Sequence, residues 1–331
     1  MPRQARLDAP GALHHVMGRG IEGTSIFLTN KDREDFLTRL GALCEGELLS
    51  IHAWALLDNH FHLLIRTGKQ SLSEGMRKLL TGYVVSFNHR YGRYGHLFQN
   101  RYKSILCEQD PYLLELTRYI HLNPIRAGVV KTMRGLAGYP WTGHGVIMGR
   151  LKRQWQEVNT VLSYFGKSRK EAIRKYERYV AEGVEMGKRL ELVGGGLIRS
   201  MGGWSEVVSL RRRGEREVSD ERILGGGEFV ERMLEEAEER IKETLRWRKR
   251  VMDLKGLLRE VAKREDLEEE EIRGRSRRKL VVRGRKVFCQ VALRKLGYTG
   301  ASVARFLGMT TSSVNRMGRL EDMMELEAWD K

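Results

Sequence analysis

Cysteine is scarce. Cys44, Cys107 and Cys289 are the three in 331 residues, and none stands at a spacing that could clamp a metal ion or build a disulfide framework, so each is expected as a reduced, packed thiol. Long apolar runs are absent too: nothing approaches the roughly 20 residues that a bilayer span needs. The opening segment, MPRQARLDAPGALHHV, lacks the charged-then-apolar order of a secretory signal. A cytoplasmic protein without membrane contact is predicted. No G-x-x-x-x-G-K-[ST] loop occurs, which argues against a nucleotide cofactor. Acid is missing from one long stretch, since Ile272 to Leu320 holds no Asp or Glu. Over the whole chain 60 Lys and Arg face 43 Asp and Glu, a net charge of +17, and such an excess favours a polyanionic partner.

The length suits two or three domains. Residues 12 to about 150 alternate strand-like and helix-like segments, predicting an α+β domain over 1–150 with helices on one side of a sheet. Ala12–Gly18 reads as a strand, and Asn30 as the cap of a helix Lys31–Glu45 with Phe36, Leu37, Leu40 and Leu43 at helical spacing. Two apolar runs, Leu48–Leu57 and Phe61–Ile65, are joined by the turn-forming pair Asp58-Asn59 and predict a β-hairpin. A helix Ser71–Tyr91, a strand His96–Leu106 and a helix opened by Pro111 and closed at Asn123-Pro124 follow. Residues 151–250 read as a helical middle region with glycine linkers at Gly194–Gly196, Gly202–Gly203 and Gly225–Gly227, and 251–331 as an all-α domain.

The segment Leu57-Asp58-Asn59-His60-Phe61-His62 carries the clearest chemical signal. Strand residues two apart share a face at about 6.6 Å, so His60 and His62 project together while Phe61 turns to the core. Two imidazoles so placed can share a cation, although a half-exposed strand pair is the commoner use of this spacing. Tyr119 and Asn123 are four residues apart, one helical turn, and look the same way. Tyr112 and Tyr102 are followed at the same interval by leucines, which bind no cation. Basic and aromatic residues around these motifs, among them Arg90, Arg101 and Lys103, suit single-stranded nucleic acid, with charges on phosphates and rings under bases.

These motifs resemble those of single-tyrosine HUH transposases of the IS200-like kind, and more closely the REP-associated tyrosine transposases. The likeness runs from about Ala12 to Trp141. It rests on the leading strand with His14-His15, on Trp54 to His62, and on Tyr119-Ile120-His121-Leu122-Asn123-Pro124-Ile125-Arg126-Ala127-Gly128. Many relatives carry proline where this chain has Asp58, a difference in the turn and not in the ligands. The resemblance implies a ferredoxin-like antiparallel sheet, a divalent ion (Mg²⁺ or Mn²⁺) on His60, His62 and Asn123, and Tyr119 as nucleophile. The implied reaction breaks and rejoins single-stranded DNA near hairpins through a 5′-phosphotyrosine.

Further on, Thr299–Leu320 fits a helix-turn-helix. Ala304 is small where helices meet, Gly308 stands at the turn, and Val314 returns to the core, which leaves Thr311, Ser312, Ser313, Asn315 and Arg316 to face a DNA groove. The stretch from about Leu254 to Met324 resembles the duplex-binding domain of the bacterial initiator DnaA, with Met309-Thr310-Thr311-Ser312-Ser313-Val314 in place of that domain's Asp-His-Thr-Thr signature. Arg278 and Arg285 are the expected phosphate contacts and Arg316 the expected base contact. Two other readings are a non-catalytic DNA-binding regulator and a rolling-circle initiator or relaxase, whose histidine pair generally follows the tyrosine.

Overall fold

The computed structural model of the protein describes residues 7, 10–68, 70–187, 189, 192, 220–250, 253–274 and 276–318. The predicted linkers Gly194–Gly196 and Gly202–Gly203, with Arg275, Arg319 and the segment through Met324, lie outside them. The chain divides into two compact units, Met1–Leu234 and Glu235–Lys331.

The first unit is built on a five-stranded sheet in the order β2-β3-β1-β4-β5. Strands β1 (Leu13–Arg19), β2 (Leu49–Leu57), β3 (His60–Thr67) and β4 (Lys103–Cys107) pair antiparallel. The two-residue β5 (Ile223–Leu224) adds in parallel to β4, so the sheet is mixed and not wholly antiparallel.

Helices cover both faces of this sheet, where one-sided cover was predicted. Helices α1 (Asn30–Glu45) and α2 (Leu72–Tyr91) pack on the face bearing Val16, Trp54, Leu56, Phe61, Leu63 and Ile65. Helix α3 (Gln109–His121) packs on the other, against Leu13, Ala53, Ala55, Leu57 and Leu64. The reason is in β2, where Trp54 and Leu56 alternate with Ala53, Ala55 and Leu57, so that neither face can be left in water. The small alanines let α3 approach closely.

The local signals act as their chemistry dictates. Thr29 and Asp32 form a capping box that starts α1 one residue before the predicted position. Ser71 Oγ accepts from Glu74 N–H at 3.3 Å to open α2. Gly92, at φ 60°, closes it in the left-handed region where a side chain is strained. The predicted strand His96–Leu106 forms only from Lys103. Residues before it run irregularly past β1, tied by Ile21 N–H to Leu97 O at 3.0 Å and Gln99 N–H to Arg19 O at 3.0 Å.

No break in the fold occurs near residue 150. Helices α4 (Asn123–Arg126), α5 (Met133–Gly138), α6 (His144–Ile147), α7 (Asn159–Ser163) and α8 (Arg169–Glu182) share one core. In α8, Ala172, Tyr176 and Val180 recur every four residues and bury one stripe against Leu122, Leu136 and Ile147. The Tyr176 hydroxyl bonds to Nδ1 of His121 at 2.7 Å and of His144 at 3.0 Å, which ties α8 to α3 and α6. Helix α9 spans Gly227–Arg250.

The second unit contains α10 (Leu254–Glu265), α11 (Glu269–Arg273), α12 (Lys279–Gln290), a π-helical stretch Val291–Lys295, α13 (Gly300–Leu307) and α14 (Thr311–Met317). Leu257, Val261, Val281, Val287, Phe288, Val303, Ala304 and Val314 close its core. Gly308, at φ 65°, turns the chain between α13 and α14. No helix among the described residues is long and apolar enough to cross a membrane.

Candidate active site

The two-residue turn Asp58-Asn59 sets the register of the β2–β3 hairpin, with Leu57 opposite His60 and Ala55 opposite His62. Alternation then puts Phe61, Leu63 and Ile65 into the α1–α2 core and sends His60, His62 and Leu64 to the α3 face. The rings of His60 and His62 meet edge to face with centroids 5.3 Å apart. His62 is 7% exposed. His60 is half-buried and helps line a cleft of about 450 Å³ together with Arg19, Asn59, Gln99, Asn100, Arg101 and Lys103. A second cleft of about 560 Å³, walled by Leu80, Val84 and Val85 of α2 and by Phe98, shares Gln99, Asn100 and Arg101 with it.

Burial lowers His62 well below the usual imidazole range, and the neighbouring His15 and His60 add to this. His60 is lowered by burial and by Arg19. Both rings are therefore neutral near pH 7, the form that offers a nitrogen lone pair to a cation. Each has one nitrogen already engaged: His60 Nδ1 lies 2.7 Å from Asn59 Oδ1 and His62 Nδ1 lies 3.0 Å from His15 Nε2.

Helix α3 delivers the tyrosine. Leu113, Leu116 and Ile120 are buried against the sheet, and Tyr119 stands half-buried at the edge of that stripe. Its ring centroid lies 5.9 Å from that of His62 and 5.9 Å from that of His15, edge-on to both. The Arg126 guanidinium sits 4.9 Å over the Tyr119 ring, and Arg126 Nη1 donates to Tyr119 O at 3.2 Å. Asn123 is 8% exposed. Its Nδ2 donates to Tyr119 O at 3.0 Å and Ile120 O at 3.2 Å, which leaves Oδ1 as the open end of the amide. No contact between Asn123 and either histidine is among the described interactions.

No group of three His, Cys, Asp or Glu gathers to hold a metal ion among the described residues. A third protein ligand beside the two imidazoles would have to be of another type. The donor set of two neutral imidazoles and an amide oxygen fits a small divalent cation that keeps open positions.

The predicted DNA contacts divide. Arg101 and Lys103 are exposed on the cleft wall. Arg90 is not available as expected, because its guanidinium is paired with the buried carboxylate of Asp32 and with Asp35. In the second unit Arg285 also departs from expectation. It is 5% exposed, and its nitrogens donate to the carbonyls of Ile272, Ser276, Glu271 and Gly274 at 2.6–2.8 Å. It closes the turn after α11 from inside and cannot reach a phosphate. Arg278 is exposed and paired with Glu271 at 2.6 Å. Thr311, Ser312 and Arg316 are exposed on α14. Ser313 is drawn into the helix cap, where Thr310 Oγ1 donates to its hydroxyl at 2.9 Å. Asn315 is half-buried against Gly300, whose missing Cβ would stand 2.3 Å from Asn315 Oδ1.

Asn59, His15 and Arg126 stand within the motifs read from the sequence but were expected to play no part of their own in the site. His15 is found only through register: it pairs with Leu64, two residues along β3 from His62, and so reaches His62 diagonally across the strands. Its neighbour His14 faces the opposite core and is equally buried.

Residues 14–123 match the family model described as "Transposase IS200 like". Among solved structures, one described as the structure of the REP associates tyrosine transposase bound to a REP hairpin is similar at 17% identity and a TM-score of 0.38, over 47% of this chain and 98% of that one. Comparison with curated proteins gives no match. The histidine hairpin, the strand that buries His15 and the helix that carries Tyr119 all fall within the matched span, so the features of this site lie in the part of the chain that is similar to IS200-like transposases.

Proposed function

We propose that the first unit is a metal-dependent DNA transesterase that nicks and rejoins single-stranded DNA near hairpins, with Tyr119 as nucleophile. The observation that carries this reading is the Tyr119 ring against the His62–His15 pair, 5.9 Å from each. The phenolic oxygen attacks phosphorus, the O3′ of the upstream nucleotide leaves and takes up a proton, and the downstream strand is held as a 5′-phosphotyrosine. Because one phosphoester replaces another, the free 3′-hydroxyl can reverse the step without a nucleotide cofactor. His60 and His62, with Asn123 Oδ1, would hold Mg²⁺ or Mn²⁺, which when bound polarises the scissile phosphate and favours the phenolate. Arg101 and Lys103 on the cleft wall would track the strand.

For the second unit we propose duplex binding through the exposed Arg278, Thr311, Ser312 and Arg316. The reading of the whole chain as a non-catalytic regulator differs in one measurable respect. A single strand carrying a hairpin, incubated with Mn²⁺, should become covalently attached to the protein and give up a free 3′-hydroxyl. Binding with no covalent product under those conditions would favour the regulator.

A further inference from the structure

The cleft residues raise a question of proton placement. An imidazole binds a cation only through a nitrogen that carries no proton, so a two-histidine site needs both rings in the right tautomer before the cation arrives. Two side chains outside the ligand set face the Nδ1 atoms of His60 and His62. We propose that Asn59 and His15 are positioning residues that hold His60 and His62 with the proton on Nδ1 and Nε2 bare, so that the site is preset for a divalent cation.

For His60 the chain of constraint starts in the backbone. Asn59 Nδ2 donates to Gly23 O at 3.1 Å, and a carbonyl can only accept. That fixes which end of the amide is which, and turns Oδ1 toward His60 Nδ1 at 2.7 Å. An amide oxygen also only accepts, so the proton of this hydrogen bond belongs to His60 Nδ1. The anchor is itself held, since Gly20 N–H donates to Asn59 O at 2.8 Å and Gly23 sits at φ 76°, open to glycine. For His62 the partner is His15 Nε2 at 3.0 Å, with the two rings stacked at 5.2 Å; the contact holds one proton, which lies on His62 Nδ1 when His15 carries its own proton on Nδ1. His15 is wholly buried. Its ring also touches Tyr119, so the residue that orients the ligand packs against the proposed nucleophile. Outer-shell partners of this kind fix ring orientation and raise ligand basicity.

The inference rests on the metal reading of His60 and His62, and the two can fail separately. Nitrogen-15 NMR of the histidine-labelled full chain without metal reads the tautomers, and titration with Mn²⁺ followed by its electron paramagnetic resonance signal reads binding. In the unsubstituted protein both rings should be Nδ1–H tautomers. Asn59→Ala should let His60 sample both tautomers and weaken Mn²⁺ binding by about tenfold or more. His15→Phe, which keeps a ring against Tyr119, should do to His62 what Asn59→Ala does to His60. An Nε2–H tautomer at either ring of the unsubstituted protein would overturn the proposal, as would unchanged tautomers in Asn59→Ala and His15→Phe. Correct tautomers with no Mn²⁺ binding would support the positioning role and overturn the metal reading instead.

Discussion

Tyr119→Phe removes the phenolic oxygen, while the ring keeps its edge contacts with His62 and His15 and its place under Arg126. Covalent capture of a single strand should vanish while hairpin affinity changes less than about threefold, measured by denaturing gel and by gel shift. An adduct persisting in this variant would move the nucleophile elsewhere, with Tyr112 next in line. His60→Ala or His62→Ala should abolish Mn²⁺-dependent cleavage, and Asn123→Ala should weaken Mn²⁺ binding by a smaller factor, since an amide oxygen is a poorer ligand than an imidazole. Cleavage at full rate in EDTA would defeat the metal assignment. Arg285 gives a prediction about stability in place of DNA binding. With four carbonyls depending on its guanidinium, Arg285→Ala should cost about 3 kcal/mol or more. Arg278→Ala, exposed and singly paired, should cost under about 0.5 kcal/mol. Hydrogen exchange of the Lys279–Gln290 amides in the full chain separates the two.

At the scale of elements, the hairpin, both capped helices and the tyrosine helix are legible in the sequence because their determinants are local: a turn pair, caps, and apolar spacing. What sequence cannot supply is register between distant strands. His15 contributes to the site only because β1 pairs with β3 so that Met17 faces His62, and no local pattern announces that. One-sided helical cover was expected from the alternation of strand-like and helix-like segments, yet α3 packs on the face that carries His62 and leaves that ring 7% exposed. Arg90 and Arg285 were misjudged for a related reason: a guanidinium reads as surface charge until its carboxylate or carbonyl partners are brought to it. The β1–β3 pair also carries a test. Gly18 lies opposite Phe61, and a Cβ there would stand 2.5 Å from the buried Phe61 ring, which must shift to admit it. Gly18→Ala should therefore cost about 1–3 kcal/mol and, by shifting the residue between His60 and His62, weaken Mn²⁺ binding as well. Thermal unfolding and Mn²⁺ titration of the same variant check both effects.

Across the whole molecule, buried histidines make the first unit sensitive to acid. His52, buried beside Arg66, and His144, buried against Tyr176, both titrate at about 4, against 6.5 when unfolded. Above about pH 6.5 neither state binds the proton and their contribution to stability is full. Between 6.5 and 4 the unfolded chain takes protons that the folded chain refuses, so stability falls by up to about 1.4 kcal/mol per pH unit for each histidine. Urea midpoints at pH 7 and pH 5 should differ accordingly, and substituting His52 or His144 by Gln should reduce the difference by that ring's share, since His14 and His15 are lowered by burial as well. A midpoint independent of pH over that range would show that these rings are protonated in the fold.

The short strand β5 bears on how copies of the chain can meet. Beyond β4, Leu106 N–H donates to Arg222 O and Glu108 N–H to Leu224 O, both at 2.8 Å. At the opposite margin, β2 is engaged by Thr142 and Gln156 through isolated bridges. An unpaired strand margin is an invitation to a second chain, and proteins that leave one open tend to join sheets end to end into filaments. Here β4 and β2 each carry backbone partners supplied by the same polypeptide, from residues far along the chain. Among the described residues, the paired positions of β2 and β4 are therefore closed to strand addition by a second copy of the chain.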